Sequence, residues 1–436
     1  MKVLLSAFAC QPGLGSEEGV GWGTAWALAQ THRVHVLTTP RHREAIERYL
    51  AVNPSPQLTF SYFDCPRWIT RWVVTSSLWQ VYYHLWQCQI AGWARQVVYN
   101  FEPDVIHHIT YGRYWTPCSL WKLGRPFVWG PLGGGDACPP AFRSCLGSND
   151  RVLACIRDFA QYLARLDPTL RATARHATVA IGSTPATEER LWALGCPRVV
   201  PLLQMALDAQ LLRPGSVTPE AGLFCSVGRL LGWKGHALTL KAFSKLQHRS
   251  ARLVIIGTGP ARNRLIAIAA KLGIENRVEF LGALSRDATL DWIRRSTALV
   301  HSSFHDQAPT VVFEAMAAGT PVIALQLGGP SHQITDETGV LIPARNPAQA
   351  ATDIAEAMSR LMCHPDLRER MAANGRTRVQ QHFTWQRKVE EFTLLYQEAV
   401  ASWGHAYAHS GVGLKKQVDE KALSAGPAAT GGTASN

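Results

Sequence analysis

The residues best equipped for chemistry sit in the second half of the chain. Val227-Gly228-Arg229-Leu230-Leu231-Gly232-Trp233-Lys234-Gly235 follows an apolar run that reads as a strand and precedes a helical stretch, His236–Lys245. A loop in that place turns backbone N–H groups and a helix N-terminus toward an anion. Arg229 and Lys234 add two full positive charges, although a solvated loop with two surface cations would look the same in isolation. Farther on, Asp306 is followed eight residues later by Glu314 near a helix start, then by the Gly319-Thr320-Pro321 turn into the next strand. There the helix N-terminus can face a phosphate while the two carboxylates accept hydrogen bonds from sugar or ribose hydroxyls. Single acids often have purely structural roles; the combination is what is specific. Between these patches, Ile256-Gly257-Thr258-Gly259-Pro260 begins like a dinucleotide fingerprint. Arg262 stands where its third glycine belongs and no acid lies at the ribose-binding offset, which argues against an NAD-dependent oxidoreductase.

The first half offers two glycine-rich loops. Cys10-Gln11-Pro12-Gly13-Leu14-Gly15-Ser16-Glu17-Glu18-Gly19-Val20-Gly21-Trp22-Gly23 joins the first strand to a helix expected around Gly23–Thr31. Its glycines permit positive φ and close approach of a ligand to the backbone. Trp129-Gly130-Pro131-Leu132-Gly133-Gly134-Gly135-Asp136 is the second, expected to line an acceptor side. In Trp68–Val98, Trp72, Trp79, Trp86 and Trp93 recur every seven residues beside a polar stripe of Ser77, Gln80, His84, Gln87 and Arg95. This amphipathic segment fits a packed core helix. It also fits an interfacial helix near a membrane-borne acceptor, helped by Arg67 and Arg71.

The elements that must position these residues alternate along the chain. Lys2–Phe8, Val34–Thr38, Val105–Ile109, Phe127–Trp129, Thr178–Ile181 and Arg198–Leu203 read as strands separated by helices. After Gln210–Ser216 the pattern restarts with Phe224–Gly228, Leu253–Gly257, Arg277–Leu281, Ala298–His301 and Val322–Ala324. Such alternation implies parallel sheets wrapped by helices. The expected fold is therefore α/β, with two Rossmann-like domains facing a central cleft. The boundaries are an N-terminal acceptor domain over 1–205, a C-terminal donor domain over 206–385, a helix over 386–409 returning to the first domain, and a disordered tail over 410–436. Ligands of such sheets sit outside the carboxyl ends of the strands.

Composition narrows the partners. Lysine and arginine outnumber acids 44 to 32, a formal net charge of +12, which favours nucleotide phosphates or an acidic lipid surface. No long Lys/Arg arm, zinc finger or RNA-binding motif is present, so nucleic acid is not an expected partner. The ten cysteines lack any CxxC pair, which points to idle thiols in a reducing compartment and to neither a disulfide frame nor a zinc site. No apolar stretch reaches the ~20 residues of a membrane span. A cytoplasmic protein is expected, with peripheral contact to the inner face of an anionic membrane as an option.

The three patches of the second half, in this order and spacing, resemble the donor-binding half of the family 4 glycosyltransferases, and the likeness extends over about residues 1–400. Gly15–Trp22 is similar to a subgroup with Gly-Ser-Glu-x-Gly-Val-Gly-Trp. The resemblance implies the GT-B fold and transfer of a sugar from a UDP- or GDP-sugar to a sugar or lipid-linked hydroxyl, with retention of configuration. It implies that Arg229 and Lys234 grip the donor diphosphate, that Glu314 binds the ribose and that Asp306 reaches the hydroxyls of the transferred sugar. Gly15, Ser16, Thr310 and Val311 are the further donor contacts it suggests. The family usually has glutamate where this chain has Asp306, which leaves the sugar open. It also often carries a sugar-contacting histidine five residues after the aspartate matched by Asp104, where Ile109 stands here. His107 shares a strand face with Ile109 and His108 is nearer the loop; neighbouring strand residues face opposite ways, and both remain candidates. No Asp-x-Asp occurs in the chain, so no metal or other cofactor is expected, and Arg229, Lys234 and helix dipoles are the available means of stabilising a departing diphosphate. A phosphorylase or epimerase of the same fold, or a non-catalytic sugar-nucleotide binder, would share these features.

Overall fold

A computed structural model describes residues 1–66, 79–207 and 218–410. Seven parallel strands form the first sheet: β1 (Lys2–Ser6), β2 (Arg33–Thr38), β3 (Leu58–Tyr62), β4 (Val105–His108), β5 (Phe127–Leu132), β6 (Val179–Gly182) and β7 (Val199–Pro201). Their spatial order is β3-β2-β1-β4-β5-β6-β7. Six more form a second parallel sheet: β8 (Leu223–Val227), β9 (Arg252–Ile256), β10 (Val278–Gly282), β11 (Ala298–His301), β12 (Val322–Leu325) and β13 (Gly339–Ile342), ordered β10-β9-β8-β11-β12-β13. Central strands such as Val3-Leu4-Leu5 and Phe127-Val128-Trp129 are apolar on both faces because helices cover both sides of each sheet. The strand order reverses beside β1 in one sheet and beside β8 in the other, so each domain has a switch point where ligands can lie.

Helices α1 (Ser16–Leu28), α2 (Arg43–Val52), α3 (Trp79–Phe101), α4 (Ser148–Ala164), α5 (Pro168–His176) and α6 (Pro185–Leu194) wrap the first sheet. The second carries α7 (His236–Lys245), α8 (Arg262–Lys271), α9 (Arg286–Arg295), α10 (Thr310–Ala318), α11 (Pro330–Gln333), α12 (Pro347–Cys363) and α13 (Pro365–His382). The last helix, α14 (Trp385–Ser410), returns to the first domain. Its Phe392, Tyr396 and Ala399 are buried in the core beside β1 and β4, and Lys388 donates to Leu203 O at 2.6 Å.

Three differences from the sequence reading have local causes. Helix α1 begins at Ser16, not near Gly23, because Gly19, Gly21 and Gly23 are close-packing positions inside the helix. A methyl group on Gly21 would lie 2.0 Å from Ala9 O, and one on Gly23 2.2 Å from the Trp385 ring. Strands β3 and β13, both at sheet edges, are absent from the sequence reading: Leu58-Thr59-Phe60-Ser61-Tyr62 alternates apolar and polar residues, as a strand with one open face does, and Gly339–Ile342 is only four residues long. Within Trp68–Val98, Trp86 and Ile90 are fully buried and Trp93 packs on Phe63 at 5.2 Å between ring centroids, so this part is a packed helix. Arg67, Arg71, Trp72 and Ser77 lie outside the described residues, as do Gln210–Ser216 and the tail beyond Ser410. None of the described helices is long and apolar enough to cross a membrane.

Candidate functional site

The Arg229–Gly235 loop leaves the carboxyl end of β8 and is braced from two sides. Leu230 N–H donates to Thr258 O at 2.8 Å and Ala261 N–H to Leu230 O at 3.0 Å. A Cβ on Gly257 would sit 2.0 Å from Gly228 O, so the fingerprint-like turn lets two strand-end loops lie against each other. On the other side Gly235, at φ +74°, leaves no room for a side chain against Ser302 O. Ser302 Oγ donates back to Gly235 O at 2.8 Å. The loop is thus held between the ends of β9 and β11, directly before α7.

That brace aims Lys234 at Asp306. Lys234 Nζ lies 2.5 Å from Asp306 Oδ2, and His301 Nε2, at the end of β11, is 3.3 Å from the same oxygen. Burial by itself would raise the Asp306 carboxyl, but the His301 contact and the Lys234 charge outweigh it and hold the group well below the usual carboxylate range. Lys234 also sits 4.7 Å over the Trp233 ring, and Trp233 stacks on His305 at 4.5 Å. Lys234 and Asp306, read from sequence as separate contacts to diphosphate and sugar, are paired with each other. Gly329 N–H donates to Asp306 O at 2.7 Å, fixing the loop backbone.

Glu314 lies on α10, four residues beyond Thr310 at the helix start, with Val311 next to it. Its carboxylate accepts from Arg286 Nε at 3.0 Å and is 13% exposed. Arg229 is exposed, and its guanidinium has no ion pair among the described residues. The structure thus pairs Lys234 with Asp306 and Glu314 with Arg286, and among the described residues no hydrogen bond or ion pair joins Arg229 or Glu314 to the Lys234–Asp306 pair.

In the first domain, Gly15 borders open space, with nothing within 4 Å of where a Cβ would sit. Ser16 opens α1 in the left-handed region at φ +57°. No hydrogen bond joins Gly15 or Ser16 to Arg229, Lys234 or Glu314 among the described residues. Glu17 is half-buried and accepts from Tyr111 N–H at 2.8 Å and from Gln204 Nε2 at 3.2 Å; desolvation raises its carboxyl. It ties three segments together beneath the glycine loop. The second loop does reach the other domain, since a Cβ on Gly133 would overlap the Gln307 amide.

The two histidine candidates are corrected: neither reaches the cleft. His107 Nε2 donates to Gly130 O at 2.6 Å, which leaves Nδ1 to accept from the Tyr396 hydroxyl at 2.7 Å. His108 Nε2 donates to the Tyr83 hydroxyl at 3.2 Å, while that hydroxyl donates to Thr110 O. Both rings are buried, and burial pushes them down to about 4 and about 3, so they are neutral core groups. Alternation sends one to each face of β4, and helices cover both faces.

Two participants escaped the sequence reading. His301 ends an ordinary apolar strand, and only its place before the Asp306 loop hinted at a role. Arg157 comes from α4 of the other domain; its Nη1 is 3.5 Å from His305 Nε2 and its Nη2 donates to Asp136 O at 3.3 Å. Asp136 accepts from Thr184 Oγ at 2.7 Å. Contacts between domains leave no local spacing signal.

Residues 212–378 match the family model described as glycosyl transferases group 1. Over 292 residues the chain is 28% identical to the D-inositol 3-phosphate glycosyltransferase of Streptomyces bingchenggensis, an alignment covering 62% of this chain and 59% of the relative. The chain spans about half the length of the curated relatives it matches. The sucrose-phosphate synthase of Thermosynechococcus elongatus superposes with a TM-score of 0.64 at 19% identity, over 92% of this chain and 99% of that one. Anabaena HepE, solved in complex with UDP-glucose, does so with a TM-score of 0.55 at 17% identity, over 90% and 99%. The architecture is GT-B, and the matches support a glycosyltransferase family for the chain.

Proposed function

We propose that this chain transfers a sugar from a nucleotide-diphosphate sugar to a hydroxyl acceptor, with retention of anomeric configuration and in the manner of the family 4 enzymes. The observation that carries the reading is the cluster at the carboxyl ends of β8 and β11, where Lys234, Asp306 and His301 converge, Arg229 lying on the same loop as Lys234. The UDP-glucose complex of HepE makes a UDP-sugar the first donor to test, with a GDP-sugar next. Cleavage of the sugar–phosphate bond places negative charge on the leaving diphosphate. In this reading Arg229, Lys234 and the N-terminus of α10 at Thr310 and Val311 offset it, and preorganised charge of this kind does the largest share of work in many enzymes. Glu314, steadied by Arg286, takes the ribose hydroxyls. Asp306 shares its carboxylate between Lys234 and the sugar, so donor binding replaces part of the Lys234 contact. The acceptor hydroxyl, on a sugar or a lipid-linked sugar, enters between the two glycine loops and attacks from the face the diphosphate leaves. With these cations at hand we assign no metal to the step.

The test is a panel of UDP-, GDP- and ADP-sugars scored by thermal shift. A ligand held only by the folded state at about 100 times its Kd adds roughly 2.7 kcal/mol. A UDP- or GDP-sugar is expected to raise Tm, and turnover with acceptor is expected to persist in excess chelator. No response to any nucleotide sugar overturns the donor site, and strict dependence on added Mg²⁺ or Mn²⁺ overturns the metal-free step.

A further inference from the structure

Helix α4 is built inside out. Its polar residues face the protein: Asp158 pairs with Arg143 at 2.6 Å, Gln161 Nε2 donates to Gly134 O at 3.0 Å, and Arg157 reaches His305 and Asp136. Its apolar residues face outward. Val152, Ile156, Phe159, Leu163 and, just past the helix end, Leu166 form one stripe at steps of four and three, and each is 48–64% exposed. An ordinary surface helix has the opposite arrangement, and a contiguous apolar strip on this scale marks an interaction surface.

The charge around the strip selects the partner. Residues 148–176 hold five arginines (151, 157, 165, 171 and 175) against three aspartates (150, 158 and 167). Of the aspartates, Asp158 is taken by Arg143 and Asp167 caps α5 through Thr169 N–H at 2.7 Å. Exposed Arg151 stands at one end of the strip, where Arg264 also arrives, donating to Cys145 O at 3.1 Å. Arg165 and exposed Arg171 stand at the other, Arg171 Nε donating to Arg165 O at 2.8 Å. Two copies meeting strip to strip would bring these arginines together on molecules that each carry +12. An apolar stripe fringed by cations suits an interface that is apolar inside and anionic at its rim.

We infer that α4 docks on an anionic lipid surface, with its apolar stripe in the headgroup–acyl boundary. Because its inner face holds Gly134, Asp136 and His305, docking sets the cleft mouth close to the membrane, where a lipid-linked hydroxyl is available. The docking itself does not depend on the transfer reaction assigned above.

Co-sedimentation of the full chain with phosphatidylcholine vesicles, and with vesicles doped with phosphatidylglycerol, tests it. Binding is expected only to the doped vesicles and to weaken with added salt. In the double variant Ile156→Ser, Phe159→Ser, the loss of two inserted side chains lowers partitioning by about 100-fold. Both side chains point outward, so the variant keeps its thermal melt. Wild type that stays in the supernatant with doped vesicles overturns the inference, as does a folded variant that still binds. A concentration-dependent dimer in sedimentation velocity that the variant abolishes also overturns it, by assigning the strip to a second copy. Donor thermal shift in both proteins reads the cleft separately.

Discussion

The two domains place a histidine at the same point of the same topology and use it in opposite ways. Strand β4 lies next to β1 and ends at His107 and His108; strand β11 lies next to β8 and ends at His301. In the first domain the strand end is sealed. Tyr396 of α14 closes over one face and Tyr83 of α3 over the other, so each imidazole is spent on core hydrogen bonds. In the second domain the loop after the strand turns back, and His301 meets Asp306, which meets Lys234. A switch point therefore permits a site without creating one. What decides is whether a helix or a loop covers the strand end.

The largest effect that could break this contrast belongs to Lys234. Lys234→Ala removes a full charge from the proposed leaving-group site and should lower kcat by about 100- to 1000-fold, with an unchanged far-ultraviolet spectrum. Turnover near wild type would move the chemistry elsewhere. His107→Ala should do the reverse. Leaving Gly130 O and the Tyr396 hydroxyl without their partner, and opening a cavity beside Phe392, should cost about 2–5 kcal/mol of stability. The kcat per folded molecule should stay within about twofold, well short of the 1.4 kcal/mol that makes a tenfold change in rate. A stable variant with lost turnover would restore His107 to the cleft.

The smallest effect is the pH dependence of stability. His107, His108 and His236 are held down to about 4, about 3 and about 4 by burial. Unfolding frees each to take a proton near 6.5, so the unfolded state binds more protons between about 6.5 and 4. Stability is then full above 6.5 and falls as pH drops through that window, by at most about 1.4 kcal/mol per pH unit per histidine. Urea midpoints from pH 7.5 to 4.5 would show it, and His107→Ala should have a shallower slope. A flat profile would mean that these rings are not buried neutral groups.

The fold was legible because buried parallel strands write themselves as uninterrupted apolar runs; of the two strands missed, β3 alternates apolar and polar residues and β13 is an apolar run of only four residues. The C-terminal patch was legible because Arg229, Lys234, Asp306 and Glu314 sit in loops and helix starts that adjoin strands in sequence. The histidines misled for a reason alternation cannot detect: it tells which side of a strand a residue faces, not what covers that side. The glycines of Gly15–Gly23 misled similarly, since a glycine needed for close helix packing and one needed for a flexible loop are the same letter. Arg157 was invisible because its partners, Asp136 and His305, are respectively 21 and 148 residues away.

The chain passes between the domains at two places that touch each other. Leu207 and Thr384 form a parallel bridge, Leu207 N–H donates to Phe383 O at 2.8 Å, and the Lys388 ammonium, drawn down to about 8 by its burial, grips Leu203 O close by. Two tethers pinned side by side behave as a door with adjacent hinge pins. A movement that drew the two crossings apart would break the Leu207–Thr384 bridge and leave a buried ammonium without its carbonyl, so the two strands of the connection hold each other in place.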